Sequence, residues 1–486
     1  MLINFDALAS LDPQDTIIIG TGPAGITLAR RLAKQGMSSL LLEAGGFEYE
    51  EDSQDVYRGK VEGDPYFFLE NARLRFFGGT SNHWAGWCRP LDAIDFTKRD
   101  GIPNTGWPIS KDTIAPYMDE ALGILEIDPI VDGEPLDAFI KPAAFVFSVP
   151  PVLFGEKYRG EIENSDRISL CLNCYVRAIT PIEGGYELDC ISPERVELKL
   201  QTLNLVVACG GIENSRLLLW SNEVSGGQLI PHAQTLGRYW LEHPTYTVGE
   251  AELKDPLFSQ VQAVEELIFS PTELAMQRYQ IMNAGLRVVS MTEFSMKSEV
   301  KEYICAIPGA NTFSLAVRGK KLSCFRLDGP FNALRMAWEQ SPTPENRITL
   351  DPQARDAYGV PRPILHWHKN ALDKRTARVT VELFGRYLAD NDLGRARMAP
   401  FLLDDDMPYP GTDTLAGYHH MGGTRMASTP DEGIVDADLQ VFERPGLYVL
   451  GSSVFPTGGH ANPTLTIVQL ALRLGDHLAD RGQLTE

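Results

Sequence analysis

The chain has 486 residues, 43% of them hydrophobic and 22% charged, a composition ordinary for a globular protein and long enough for two or three units around a large core. Its 44 Lys and Arg against 65 Asp and Glu leave a formal charge of −21, a field that repels phosphate backbones and anionic headgroups, so nucleic acid is not an expected partner. No apolar run reaches the roughly eighteen residues that a membrane span needs, and seven cysteines, an odd number, argue against a disulfide framework and for a reducing compartment.

The opening MLINFDALASLDPQDTIII has no basic stretch followed by a long apolar core. No secretory signal is read, and a cytoplasmic location is the expectation, export on a partner's signal being the exception that sequence leaves open. Thr16 to Ile19 form a short β-branched run that stops at Gly20-Thr21-Gly22-Pro23-Ala24-Gly25, the GxGxxG pattern after a strand. Ile26, Ala29 and Ala33 then recur at helical spacing, Gly36 ends the helix, and Ser39 to Leu42 make a second buried strand closing on Glu43. Each glycine has a use: Gly20 for the tight turn, Gly22 for close approach of backbone N–H groups to a pyrophosphate, Gly25 for helix–strand packing. The helix N-terminus faces the diphosphate, and a carboxylate at Glu43 accepts from ribose hydroxyls. Strand, turn, helix, strand and acid together indicate a dinucleotide site, without separating FAD from NAD.

Farther along, Cys171 and Cys174 form a CxxC inside the apolar run ISLCLNCYVRAI. Read as a strand, that spacing sends the two thiols to opposite faces, and no second CxxC or clustered His completes a zinc set. A metal is not expected. Leu203 to Ala208 predict a strand running into Cys209-Gly210-Gly211 and a helix over Glu213 to Trp220. Arg347 to Leu350, between Pro344 and Pro352, read as a strand of a second domain. His366 and His368 alternate as on one strand face and receive no role. Asp404 to Asp406 read as a solvated acidic run. Gly446 to Gly451 predict strand then turn, and Pro463 opens a C-terminal helix. Trp84 and Trp87 are expected to pack, Trp84 with a part in shaping a pocket. No CxxCH occurs, so no haem is attached to this chain.

Six segments in order, GTGPAG, FGGTSNHWAG at Phe77 to Gly86, VVACGGIENSRLLL, LGRYWLEHP, YHHMGGTRM and GGHANPTLT, together resemble the glucose-methanol-choline (GMC) oxidoreductases nearly end to end. The resemblance implies an α/β fold: a Rossmann-type FAD-binding domain interleaved with an α+β substrate domain built on an antiparallel sheet. The expected division is 1–90, 166–250 and 411–486 for FAD, with 91–165 and 251–410 for the substrate. It also implies flavin contacts from Gly79, Ser81, Asn82, His83, Val176, Gly451, Asn462 and Thr464, beside Gly20, Gly22, Gly25 and Glu43. His420, opening the HxxGT segment, takes the place of the catalytic base, and Asn462 that of the second catalytic group.

Asn462 together with GGTSNHW brings the chain nearest to the pyranose oxidase and bacterial sugar dehydrogenase branch. Sugars or glycosides are therefore the expected substrates. In pyranose oxidase the His before this Trp is bonded to the flavin 8α-methyl, which makes His83 a candidate covalent anchor. His419 and His420 are neighbours, and in extended backbone one of them points away and is structural. His460 is a rival of Asn462, read as an outer-layer or substrate-binding group.

A base within hydrogen-bond reach of the carbinol oxygen eases hydride loss, and histidine, titrating near 6.5, is neutral and accepting near physiological pH. An Asn amide stabilises the developing alkoxide. The implied partners are a small alcohol or sugar and either oxygen or an external electron acceptor, a cytochrome or quinone included. Oxidation of a non-sugar alcohol, a flavoprotein lyase and a non-catalytic flavin-binding subunit are the competing readings; the presence of both His420 and Asn462 argues against the last.

Overall fold

The structure is a computed structural model that describes residues 1–254, 257–264, 266–290, 315–317, 320–322, 331–411 and 416–483. Short β-branched and leucine-rich runs, buried on both faces, build a six-stranded parallel sheet in the order Leu2–Ile3, Ile168–Cys171, Ser39–Leu42, Thr16–Ile19, Leu205–Val207, Leu447–Val449. Continuous apolar strands of this kind need cover on both sides. Helix Pro23–Lys34 lies against the C-terminal helix Thr464–Gln483, and both pack into the larger hydrophobic core around this sheet. Pro23 at the first turn and Arg31 and Lys34 in the last complement the helix ends. The strand Leu205–Val207 and helix Glu213–Val224 fall where VVACGGIENSRLLL predicts them.

A second, six-stranded sheet is antiparallel where its strands pair, in the order Gly394–Met398, Thr245–Leu253, Phe331–Trp338, Ala284–Ser290, Glu266–Pro271, Ile140–Pro142. The 20-residue helix Ala371–Asp390 covers it and shares its core through Ala377, Val381 and Phe384. That helix starts at Asn370, whose side chain accepts from the N–H groups of Leu372 and Asp373 at 2.8 and 3.2 Å. A three-stranded sheet joins the two halves: Lys60–Gly63 runs parallel to Pro361–Trp367, which pairs antiparallel with Arg347–Arg355. Behind it a small apolar cluster gathers Leu69, Ile212, Trp240, Ile348, Leu365 and Trp367.

The CxxC is not one strand. Strand Ile168–Cys171 ends at the first thiol, Asn173 takes a left-handed turn with φ 53°, and the buried Cys174 comes back beside Cys171 and Cys190, which together with burial raise its pKa. The turn, not the strand period, sets the direction of the second thiol, so the two do not point to opposite faces. Among the described residues no group of His, Cys, Asp or Glu could hold a metal ion, and no helix is long and apolar enough to cross a membrane. His366 instead bonds to Thr349 Oγ1 at 2.9 Å and lies 3.1 Å from Glu62. Asp404, Asp405 and Asp406 are exposed.

Candidate active site

A cleft of about 610 Å³ opens where the parallel sheet ends, lined from the glycine turn through to the histidine pair and the start of the C-terminal helix. Its volume is in the range of cofactor sites. At Gly20 the backbone has φ +105°, and a Cβ would lie 2.5 Å from the Ala208 carbonyl oxygen, so only glycine turns here. A Cβ on Gly25 would lie 2.0 Å from the Gly20 carbonyl oxygen, which is how helix Pro23–Lys34 comes so close to the turn. Around Gly22 nothing stands within 4 Å of where a Cβ would be. That leaves an open cradle at the N-terminus of a helix, suited to a negatively charged diphosphate.

Glu43 follows strand Ser39–Leu42 and is buried, accepting from Thr21 N and Oγ1 at 3.2 and 2.6 Å and from Gly45 N at 3.0 Å. Arg75 also lines the cleft, and its Nη2 is buried without a partner although Nη1 bonds to Ser53 Oγ at 2.6 Å. A buried N–H of a guanidinium left unmade is costly, and a bound polar group in the cleft would satisfy it. Arg73 and Arg216 share Glu213 across the same wall, at 2.6 and 3.2 Å. The open glycine cradle, the buried carboxylate and the unpartnered guanidinium N–H fit a dinucleotide cofactor.

Of the residues expected from sequence, Gly20, Gly22, Glu43, Gly79, Ser81, His83, Val176, His420, Gly451, Asn462 and Thr464 line this one cleft. Gly25 lies behind the turn in its packing place. Asn82 does not line it: its Nδ2 donates to the Phe77 carbonyl at 2.8 Å, which braces the short turn Gly79–His83. That turn is also tied to the glycine loop through Gly78 N and Thr21 O at 3.1 Å. His83 is exposed, and desolvation holds its pKa below the usual histidine value. Trp84 lines the cleft and donates to the Val152 carbonyl at 2.8 Å, whereas Trp87 stacks on Phe147 away from it.

Both His419 and His420 line the cleft, in contrast to the alternation expected of extended backbone. The reason is local: Tyr418 has φ 59° and Gly422 φ 71°, so the segment is not a strand. His419 Nδ1 lies 2.8 Å from His243 Nδ1, so one proton is shared between two neutral rings. His420 Nε2 lies 3.0 Å from the Tyr66 hydroxyl. Burial pushes the His420 imidazole down to about 3 and that of His243 to about 4, so both are neutral near physiological pH. His460 is buried and bonds to Ser270 Oγ at 3.1 Å, its Nδ1 unpartnered, and it is not part of the cleft wall. The Asn462 amide makes no hydrogen bond to any described residue and is available to a ligand.

Sequence reasoning missed Tyr66, Glu242, Arg73 and Arg75. For the arginines a signal exists, two cations two apart in the apolar segment just before FGGTSNHW. Tyr66 has none, and Glu242 had only its place in LGRYWLEHP. Its carboxylate is fully buried, accepts from the backbone N–H of His243 and of His419 at 2.8 Å each, and makes a short hydrogen bond with Tyr66.

Residues 342–471 match the GMC oxidoreductase family model. The chain is 24% identical, over 97% of its length and 96% of the relative's, to a 2-methyl-1,2-propanediol dehydrogenase of Mycolicibacterium austroafricanum. It is 36% identical to a C-glycoside 3-oxidase of Arthrobacter globiformis over 141 residues, 28% of this chain and 24% of that one. Among solved structures it is similar in fold to pyridoxine 4-oxidase from Mesorbium loti, with a TM-score of 0.59 at 16% identity over 96% of this chain and 99% of that one.

Proposed function

Because this chain belongs to the GMC oxidoreductases, FAD flavoproteins acting on CH–OH donors, we propose that it oxidises a secondary hydroxyl of a sugar or glycoside to the ketone, with His420 as base and Asn462 as hydrogen-bond donor. The observation that carries this reading is that a neutral histidine and an unpaired Asn amide share the wall of the cleft that the glycine turn opens. The flavin, when bound, supplies the acceptor for the hydride that leaves the carbinol carbon. Gly20 and Gly22 cradle the diphosphate, Glu43 takes the ribose, and Gly79, Ser81, His83, Val176, Gly451 and Thr464 border the rest. In this reading 1–90, 166–250 and 411–486 hold FAD, while 91–165 and 251–410 enclose the substrate. Strand Thr245–Leu253 crosses one of those boundaries, so the two parts share a strand.

His420 accepts the hydroxyl proton as the hydride leaves, and Asn462 donates through Nδ2 to the oxygen as negative charge develops there. Because burial keeps His420 neutral, its lone pair is available at physiological pH. Likeness to a C-glycoside 3-oxidase favours the sugar reading. A second reading, a non-sugar alcohol, is favoured by the diol dehydrogenase that matches almost end to end. The two are separated by anaerobic visible spectra of the yellow protein with monosaccharides, glycosides and simple diols added singly. Bleaching by a glycoside and not by a diol is the expected outcome; bleaching by diols alone replaces the sugar reading. His420→Ala should keep the yellow colour but slow the bleaching by about 100-fold or more. Air readmitted to the reduced protein then distinguishes oxygen from an external acceptor.

A further inference from the structure

We propose that Tyr66 and Glu242 are positioning residues that hold His420 with its proton on Nε2, so that Nδ1 meets the cleft unprotonated. The proposal rests on the reading of His420 as the base. Its argument is one of hydrogen-bond direction. A carboxylate only accepts. Glu242 Oε1 is occupied by two backbone N–H groups, those of His243 and His419, each at 2.8 Å. Its Oε2 takes the Tyr66 hydroxyl proton in a short bond. The phenol has one proton and has committed it, so toward His420 Nε2, 3.0 Å away, its oxygen accepts. The imidazole therefore carries hydrogen on Nε2. Nδ1 bonds to no described residue, while the ring lines the cleft.

Aromatic rings hold the phenol in place. The Tyr66 ring stands edge-on to Trp240 and Trp367, with centroids 5.7 and 5.0 Å away. In the reaction the hydroxyl proton of the substrate goes to Nδ1, and the proton on Nε2 stays there, directed at Tyr66. The ionised carboxylate behind the phenol stabilises the imidazolium that results. No proton travels the length of the chain.

The arrangement depends on the charge of Glu242. The ionisable groups around it are Tyr66, His243, Tyr418, His419 and, beyond Tyr66, His420 and Arg73. Burial raises the Glu242 carboxyl to about 7. When it takes a proton from solution, Oε2–H donates to Tyr66, the phenol turns its own proton toward Nε2, and the His420 proton moves to Nδ1. The lone pair then faces away from the cleft. Loss of the Glu242 proton as pH rises restores the competent tautomer.

The test is nitrogen-15 NMR of the FAD-loaded protein labelled in histidine, which needs no substrate; the His420 signals are those lost in His420→Asn. At about pH 8.5 the native ring should be neutral with hydrogen on Nε2, shifting toward Nδ1–H by about pH 5.5. Glu242→Gln should lose this pH dependence, and Tyr66→Phe should abolish the preference for Nε2–H. Native protein with Nδ1–H at the higher pH, or a tautomer unmoved by Tyr66→Phe, overturns the proposal. The native spectrum alone decides if a variant does not fold. A correct tautomer in a protein that no alcohol bleaches would sink the function reading and leave the positioning intact.

Discussion

His83 is the side chain whose chemistry can be tested with the least equipment. It ends the turn Gly79–His83 at the cleft wall, and desolvation keeps its ring neutral, the form in which an imidazole nitrogen is nucleophilic. If it bonds to the flavin, acid precipitation gives a yellow pellet, and His83→Ala gives a colourless pellet with free flavin in the supernatant. A colourless native pellet removes the covalent link. At this scale the glycine-turn end of the cleft was legible, because Gly20, Gly22 and Glu43 are tied by one strand–turn–helix–strand unit. The end lined by His420 and Asn462 was legible only in part. His420 and Asn462 sit in recognisable segments, but Tyr66 meets His420 across 354 residues and Glu242 across 176. Such contacts leave no local period to read. His419 was misjudged for a related reason: the alternation rule holds in strands, and the left-handed Tyr418 breaks it.

Elements form where hydrophobic period and turn chemistry agree, as in helix Pro23–Lys34 and strand Arg347–Arg355, and they are held together by polar groups that no period announces. Arg99 is an example. Its guanidinium is buried between Glu339, at 2.7 and 3.1 Å, and Asp95, at 3.2 Å, with Asn283 Nδ2 closing the group at 3.0 Å from Asp95. It ties the turn Ala93–Phe96 to the end of the antiparallel sheet. Desolvation, and then the neighbouring Glu339, push the Asp95 carboxyl up to about 7 even with the arginine present. Removing the cation leaves two carboxyls facing each other without water. Arg99→Ala should therefore cost about 3–5 kcal/mol, the usual loss when one partner of a buried pair is removed, read as a lower midpoint in urea unfolding. A shift under about 0.5 kcal/mol, the size of an ordinary surface change, would mean that the turn is held by its apolar contacts instead.

At the scale of the whole molecule, buried ionisable groups among the described residues act on stability in two opposite directions. His243, His419, His420 and His460 are all pushed below 6.5 by burial. As pH falls through about 6.5 the unfolded chain protonates these rings and the folded protein does not, so they favour unfolding. Glu242, Asp95 and Asp373 are each raised by burial to about 7 from ordinary values of 4.5 and 3.8. Between about pH 4 and 7 the folded protein keeps these protons while the unfolded chain releases them; the stability they confer is full below about pH 4 and declines as pH rises. In the window from about 4.5 to 6.5 the two sets oppose each other. Below about pH 4 the carboxyl set no longer changes, while the histidines continue to act. They are joined by Asp132 and Glu213: despite desolvation, Arg89 holds the first low, as Arg216 and Arg73 hold the second. Protonating these two removes stability present at higher pH. Four rings against three carboxyls leave about one proton uncompensated, so the melting temperature should fall gently from about pH 6.5 to 4.5 and steeply below about 4. Calorimetry across that range checks it, and a decline already as steep between about 6.5 and 4.5 as below about 4 would show that the histidines act without opposition from the three carboxyls.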